Sequence, residues 1–201
     1  MNPKITSPII GCAIVTYNRL NLLKENISAL KQQTYPLHKI FIIDNCSTDG
    51  TKEYLDSLSN DPQMQITHLS ENKGGAWGFY EGIKQAVLAK CEYVWIMDDD
   101  TIPTHNALTE LVKGLSLSDH IGFVCSKVTW TDGSPHKMNK PGLIRPIQKI
   151  TNPNDSSIYG MSCTNCTFVS VMFDAKAIYQ VGLPLKEFFI WHDDIEYTDR
   201  I

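Results

Sequence analysis

No apolar run in this 201-residue chain approaches the roughly 18–20 residues needed to span a membrane, so no transmembrane segment is expected. Met1-Asn2-Pro3-Lys4-Ile5-Thr6 lacks the long apolar core of a secretory signal. Positive charge is in deficit: 18 Lys and Arg against 22 Asp and Glu give a net charge of −4. That balance supplies no global basic field for nucleic acid or an anionic membrane, and no nucleic-acid partner is expected. Neither G-x-G-x-x-G nor a P-loop occurs, which removes the ordinary dinucleotide and NTPase signatures. Cysteine is sparse and mostly single. Cys163-Thr164-Asn165-Cys166 is the only CxxC, and with no second ligand pair it does not make a zinc site. The six cysteines are read as reduced packing residues of a cytoplasmic protein.

What is present is an ordinary globular composition, 42% apolar and 20% charged, with length for one domain over residues 1–201. Ile9 to Val15, Lys39 to Asp44, Gln65 to Leu69 and Tyr93 to Met97 are short apolar runs that read as buried strands. Between them lie helical periodicities: Leu20, Leu23, Ile27 and Leu30; Tyr54, Leu55 and Leu58; then Phe79, Ile83, Val87 and Leu88. This alternation predicts an α/β fold, with a mostly parallel sheet and helices on both faces. Further strands are expected at Ile121 to Val128 and Thr167 to Phe173, the second followed by a short helix. Thr131 to Ser157, dense in Pro, Gly, Asn and Ser, reads as a long functional loop or an irregular insertion.

The most informative feature is Asp98-Asp99-Asp100, placed directly after the fourth apolar run. Three like charges at a strand end cost stability unless a cation meets them. Hard divalent cations favour carboxylates and commonly bridge to phosphates, so the triplet points to a metal–phosphate site; a solvated acidic turn is the alternative. Ligands of parallel sheets bind beyond the carboxyl ends of the strands. Thr16, Asn18, Asp44, Asn45 and the segment Asn72 to Gly75 all fall at such ends and should converge with the aspartates. Each also has a local structural reading: helix capping for Thr16 and Asn18, turn formation for Asp44 and Asn45, and turn punctuation or tight packing for Gly74, Gly75 and Gly78. Asp193-Asp194 with Glu196 form a second acidic cluster, able to supply a general base or simply to stabilise a helix N-terminus. His192 is a weaker metal-ligand candidate.

Taken together, Ala13-Ile14-Val15-Thr16-Tyr17-Asn18-Arg19, Ile43-Asp44-Asn45-Cys46-Ser47-Thr48-Asp49-Gly50-Thr51, Glu71-Asn72-Lys73-Gly74-Gly75, Met97-Asp98-Asp99-Asp100 and His192-Asp193-Asp194-Ile195-Glu196 resemble the inverting family-2 glycosyltransferases of GT-A fold. The resemblance implies a Rossmann-like nucleotide-sugar-binding half, residues 1–103, and an acceptor-side half, residues 104–201. It implies that Thr16, Asn18, Arg19, Asp44 and Asn45 hold the nucleotide, with Asn72, Gly75 and Gly78 lining the donor site. Asp98 and Asp100 would be the outer members of a DxD motif binding Mn²⁺ or Mg²⁺, and Asp99 would contact the donor sugar or ribose. Asp194 would be the catalytic base, with Asp193 the near alternative.

The implied reaction is transfer from a UDP- or dTDP-sugar to a glycan or lipid-linked hydroxyl, in cell-surface polysaccharide or glycolipid synthesis. Glu71 to Gly75 and Trp191 to Asp194 look most like the galactofuranosyl- and rhamnosyltransferase branch. The family's members usually continue past the base motif, so the chain reads as truncated at its C-terminus. That leaves room for peripheral membrane association through a further segment, at the cytoplasmic face. A non-catalytic nucleotide-sugar-binding fragment and a nucleotidyltransferase are the rival readings.

Overall fold

The computed structural model describes residues 8–201; the Met1 to Thr6 segment lies outside the described residues. The first half alternates as the periodicity predicts. Strand β1 (Ile10–Thr16) leads to helix α1 (Leu20–Lys31), β2 (Lys39–Asp44) to α2 (Thr51–Ser57), β3 (Met64–His68) to α3 (Gly74–Leu88), and then comes β4 (Tyr93–Asp98). Helix α4 (Ala107–Gly114) follows, then β5 (Phe123–Cys125), β6 (Lys149–Thr151), β7 (Tyr159–Met161), β8 (Val171–Asp174), α5 (Ala175–Val181) and α6 (Asp193–Arg200).

Six strands form one sheet in the order β3-β2-β1-β4-β8-β5, and β6 pairs with β7 separately. β3, β2, β1 and β4 are mutually parallel, while β8 runs antiparallel to both β4 and β5. The sheet is therefore mixed and mostly parallel, with its reversal beyond the strand that carries the aspartates.

Successive side chains of a strand point to opposite faces, and that period of two divides the core. Ile10, Cys12 and Ile14 of β1 join Ile40, Ile42, Trp95 and Met97 against Leu23, Ile27 and Leu30 of α1, Leu55 of α2, and Leu108 and Leu111 of α4. Ala13 and Val15 join Phe41, Val94 and Ile96 against Phe79, Ile83 and Val87 of α3, Ile178 of α5 and Tyr197 of α6. Helices thus cover both faces.

Apart from one-residue shifts at strand ends, such as β3 starting and ending one residue earlier than the expected Gln65 to Leu69, the differences in secondary structure lie in the second half. α4 was not anticipated, nor was the β6–β7 pair at the end of the irregular segment. β5 spans only three residues of the expected Ile121 to Val128 run. β8 begins at Val171 rather than Thr167, because Ser170 takes a left-handed backbone (φ 68) that breaks the extended chain. All six cysteines are free thiols.

Gly78 is explained by packing. A Cβ built there would lie 2.5 Å from Val15 Cγ1 and 2.8 Å from Cγ2, and Val15 is β-branched with little freedom to yield. The residue is buried and brings α3 down onto β1, which is the tight-packing reading of this glycine. Overpacking costs about 1–3 kcal/mol, while Ala gains about 1 kcal/mol of helix propensity over Gly. Gly78→Ala is therefore expected to lower stability by about 1 kcal/mol net in urea titration. A rise in the midpoint, as helix propensity alone requires, would refute the packing role.

Candidate functional site

The parallel register brings the predicted residues to one edge. Thr16 lies opposite Asp44, Val15 opposite Asp98, and Asp44 opposite His68. The loops beyond these strands brace one another. Asn18, at φ 54, accepts the Thr48 N–H at 2.7 Å through its Oδ1, and its own N–H donates to Ser47 Oγ at 2.9 Å. Asp49 caps the first turn of α1 by accepting from the Leu20 N–H at 3.0 Å. Asn45 is buried and accepts the Lys73 N–H at 2.8 Å, tying the loop after β2 to the loop after β3. Asn72 caps the next turn, accepting the Gly74 N–H at 2.9 Å.

Asp44 is buried, with Oδ1 accepting the Ser47 N–H at 3.0 Å and Oδ2 meeting His68 Nδ1 at 2.8 Å. The other ring nitrogen of His68 meets Asp56 Oδ1 at 3.1 Å. His68 was not singled out in the sequence. A polar residue closing the third strand, level with Asp44, was the available signal.

The three aspartates divide by orientation. Asp98 is half-buried and lines a cleft. Asp99 is buried and turned inward, accepting from Thr16 Oγ1 at 2.7 Å and from the Tyr17 N–H at 3.4 Å. It ties the ends of β1 and β4 together. Asp100 is exposed and ion-paired with Arg19, whose Nη1 also lies 3.5 Å from Asp99 Oδ1.

Burial, reinforced by Asp100 and Asp99, pushes the Asp98 carboxyl up to about 7 despite the opposing pull of Arg19. Burial likewise raises Asp99, against the hydrogen bond from Thr16. Burial works to lower the Arg19 guanidinium, but the aspartates outweigh it and hold it above its usual range. Such carboxylates call for positive charge, and the donor set suits a hard cation held by one or two carboxylates and completed by phosphate oxygens. Among the described residues there is no preassembled group of three His, Cys, Asp or Glu ligands, so an all-protein cage does not fit.

Asp98 shares the lining of a cleft of about 400 Å³ with Asp193 and Asp194, together with Gly75, Phe79, Thr167, Phe168, Trp191 and His192. Apart from its chain neighbours and its own helix backbone, no heavy atom stands within 4 Å of a Cβ built at Gly75, which leaves that side of the helix open. α6 opens with Asp193, Asp194 and Glu196 in its first turn, a placement the helix dipole favours. Asp193 is buried, and burial followed by the neighbouring Asp194 pushes it up to about 6. Asp194 is half-buried and more open, its Oδ1 accepting the Ile195 N–H at 2.8 Å. Thr16, Asn18, Arg19, Asp44 and Asn45 do not line this cleft. Asn18 and Arg19 instead border a second hollow with Asn21 and Asp49.

Asp98 and Asp193 hold more protons folded than unfolded between their ordinary carboxylate range and about 6–7. Stability contributed by those protons is lost as pH rises through that window. Without added metal, Asp98→Asn is expected to melt higher than the unaltered chain at pH 8, with the gap closing by pH 5. Equal melting temperatures at both pH values would contradict the burial of an unpaired carboxylate.

The glycosyl transferase family 2 model matches residues 12–181. The chain is similar to poly-beta-1,6-N-acetyl-D-glucosamine synthase of Staphylococcus epidermidis, with 28% identity over 70% of this chain and 32% of that protein. It is also similar to the putative teichuronic acid biosynthesis glycosyltransferase TuaG of Bacillus subtilis, with 23% identity over 88% of this chain and 66% of that one. The chain thus spans about a third of the length of the first of these relatives. Among solved structures it matches Staphylococcus aureus TarS at TM-score 0.71 and 18% identity, covering 96% of this chain and 33% of TarS. A mannosyltransferase from Pyrobaculum calidifontis, solved with GDP-Man and Mn²⁺, matches at TM-score 0.66 and 19% identity, over 96% and 51% of the two chains. These two likenesses establish the GT-A type of fold, and with the match over residues 12–181 the chain belongs to glycosyl transferase family 2.

Proposed function

We propose that the chain carries the transfer site of an inverting glycosyltransferase that moves a sugar from a nucleoside diphosphate-sugar to an acceptor hydroxyl. The observation that supports this most is the cleft itself, with Asp98 on the strand side and Asp193 and Asp194 on the helix side. One wall is suited to a charged leaving group and the other to a proton acceptor. Residues 1–103 form the donor half and residues 104–201 the acceptor half.

Asp98 and Asp100 would hold Mn²⁺ or Mg²⁺, which when bound would offset charge on the diphosphate. Arg19 would then turn from Asp100 toward a phosphate, since it is exposed enough to move. Thr16, Asn18, Asp44 and Asn45 organise the nucleotide side, where interlocked loops hold their shape in advance of binding. Asp194 takes the proton of the acceptor hydroxyl. The oxygen attacks the anomeric carbon from the face opposite the diphosphate, the carbon–oxygen bond breaks, and its electron pair leaves with the nucleoside diphosphate. The more buried Asp193 shapes the field around that step.

A uridine nucleotide is the first donor to test, because TarS was solved with UDP and with UDP-GlcNAc; dTDP-sugars are the second. The acceptor is read as a glycan or lipid-linked hydroxyl in cell-surface polysaccharide synthesis, a reading supported by the likeness to a poly-beta-1,6-N-acetyl-D-glucosamine synthase and to a putative teichuronic acid biosynthesis glycosyltransferase. Assignment to the galactofuranosyl and rhamnosyl branch rests on Glu71 to Gly75 and Trp191 to Asp194 alone. No helix among the described residues is long and apolar enough to cross a membrane. The reaction is proposed for the cytoplasmic side, with the inner membrane face as the site of lipid-linked acceptors.

Calorimetry with UDP is expected to show binding that depends on Mn²⁺ and is lost in Asp100→Ala. Equal binding with and without metal, or in that variant, would sink the metal–diphosphate reading. Asp194→Asn should bind nucleotide normally yet lose about 100-fold or more in transfer rate. Full transfer by Asp194→Asn would move the base elsewhere, and binding by the unaltered chain with no transfer to any acceptor would favour a non-catalytic module.

A further inference from the structure

The segment between α5 and α6 has a backbone that its own residues do not favour. Phe189 stands at φ 62 and ψ −63, Trp191 at φ 76 and His192 at φ 67, none of them glycine. The Ile190 N–H donates to the Phe188 carbonyl at 2.7 Å, closing a γ-turn on Phe189 of the rare, strained hand. Such a run persists only where its surroundings over-determine it. Phe188, Phe189, Ile190 and Trp191 are all exposed, so core packing is not what holds it. His192 leads directly into Asp193 and Asp194.

Two contacts with α3 hold this strap. The Phe189 carbonyl accepts the Ala76 N–H at 3.1 Å, inside the first turn of α3. That approach exists only because residue 74 has no side chain: a Cβ on Gly74, which sits at φ 83, would lie 2.1 Å from Phe189 O and 2.7 Å from its carbonyl carbon. Ahead of the strained residues, a short 3₁₀ turn over Lys186–Phe188 supplies the second contact. Lys186 Nζ lies 4.3 Å from the Trp77 ring centroid and 5.0 Å from that of Tyr80. Lys73 Nζ approaches the same Trp77 ring at 4.4 Å, so the indole is shared by two ammonium groups.

We propose that Gly74 and Lys186 are positioning residues for the carboxylates Asp193 and Asp194: they fasten the 186–192 strap to the N-terminal turn of α3 and thereby fix where α6 begins. The proposal rests on the transferase reading for its catalytic consequence, though not for the mechanical one. It also separates two glycines that stand side by side. Gly75 leaves space on the cleft, whereas Gly74 leaves space for the strap. α3 thereby links the open backbone at Gly75 to the segment that presents the base.

The test uses the whole chain with Mn²⁺ and a UDP- or dTDP-sugar. Lys186→Ala should lower kcat roughly fivefold by loosening the strap, with nucleotide Kd and donor KM unchanged. Lys186→Arg, which keeps a cation over the ring, should restore it. Gly74→Ala should lose about 100-fold in kcat through displacement of the base, yet still bind UDP. Hydrogen exchange gives a readout that needs no turnover: the Ala76 amide and the first amides of α6 should exchange faster in Lys186→Ala and recover in Lys186→Arg.

Unchanged exchange in Lys186→Ala overturns the proposal. So does loss of UDP binding in a folded Gly74→Ala chain, which would place that glycine at the donor site instead. An unaltered chain that neither binds nucleotide nor transfers sugar would defeat the transferase reading, and the exchange arm would still decide the strap.

Discussion

Asp99 is buried with its carboxylate accepting from Thr16 and from the Tyr17 amide, while Arg19 reaches over to pair with Asp99 and Asp100. That arrangement meets a cost created by β4, which ends a fully apolar run in three consecutive carboxylates beside the sheet's reversal point. Carboxylates in partly dry surroundings must be hydrogen-bonded, paired or protonated. Here all three remedies appear at once: hydrogen bonds at Asp99, an ion pair at Asp100, and a raised proton affinity at Asp98. Thr16, Tyr17 and Arg19 all come from the end of one neighbouring strand. The position of β1 beside β4 is therefore as much an electrostatic requirement as a hydrophobic one.

The same constraint organises the loops. A cluster needing cationic company gains from a rigid surround, because mobile loops would have to be ordered again each time a ligand arrived. Asn18 with Ser47 and Thr48, Asp49 with Leu20, and Asn45 with Lys73 form three hydrogen-bonded links, between the loops after β1 and β2 and between those after β2 and β3. Short polar side chains bonded to backbone amides suit that purpose, since they hold turns without bulk. On the other flank α6 brings Asp193 close enough to raise Asp98 further. Its N-terminal dipole offsets part of that repulsion.

The first half of the fold was legible because buried parallel strands read as continuous apolar runs and the helices between them carry a 3.6-residue period. Convergence of Thr16, Asp44 and Asp98 followed from topology alone. The second half was harder for physical reasons. β5 and β8 are three and four residues long, too short to show a period, and Ser170 breaks the expected strand with one left-handed residue. α4 follows a Pro- and Thr-rich turn and carries only two buried apolar residues, Leu108 and Leu111. At the site, residue types were readable but orientations were not. Nothing in three identical aspartates says that the middle one turns inward. Nor does composition reveal that Asp193 is more buried than Asp194.

The glycines show most clearly what a sequence withholds. Gly74, Gly75 and Gly78 lie within five positions of one another, and the absence of a side chain serves a different neighbour at each: the Phe189 backbone, the open cleft and the Val15 methyls. A glycine reports that something needs the space. Whether that something is an anion, a strand or another loop depends on partners far away in the chain. Because the start of one helix meets all three, the loop after β3, the central strand and the strap that leads into α6 share a single mechanical reference. Moving any one of them shifts the frame in which the other two are placed, which is a physical reason for a segment so rich in glycine to begin a helix that would otherwise gain from alanine.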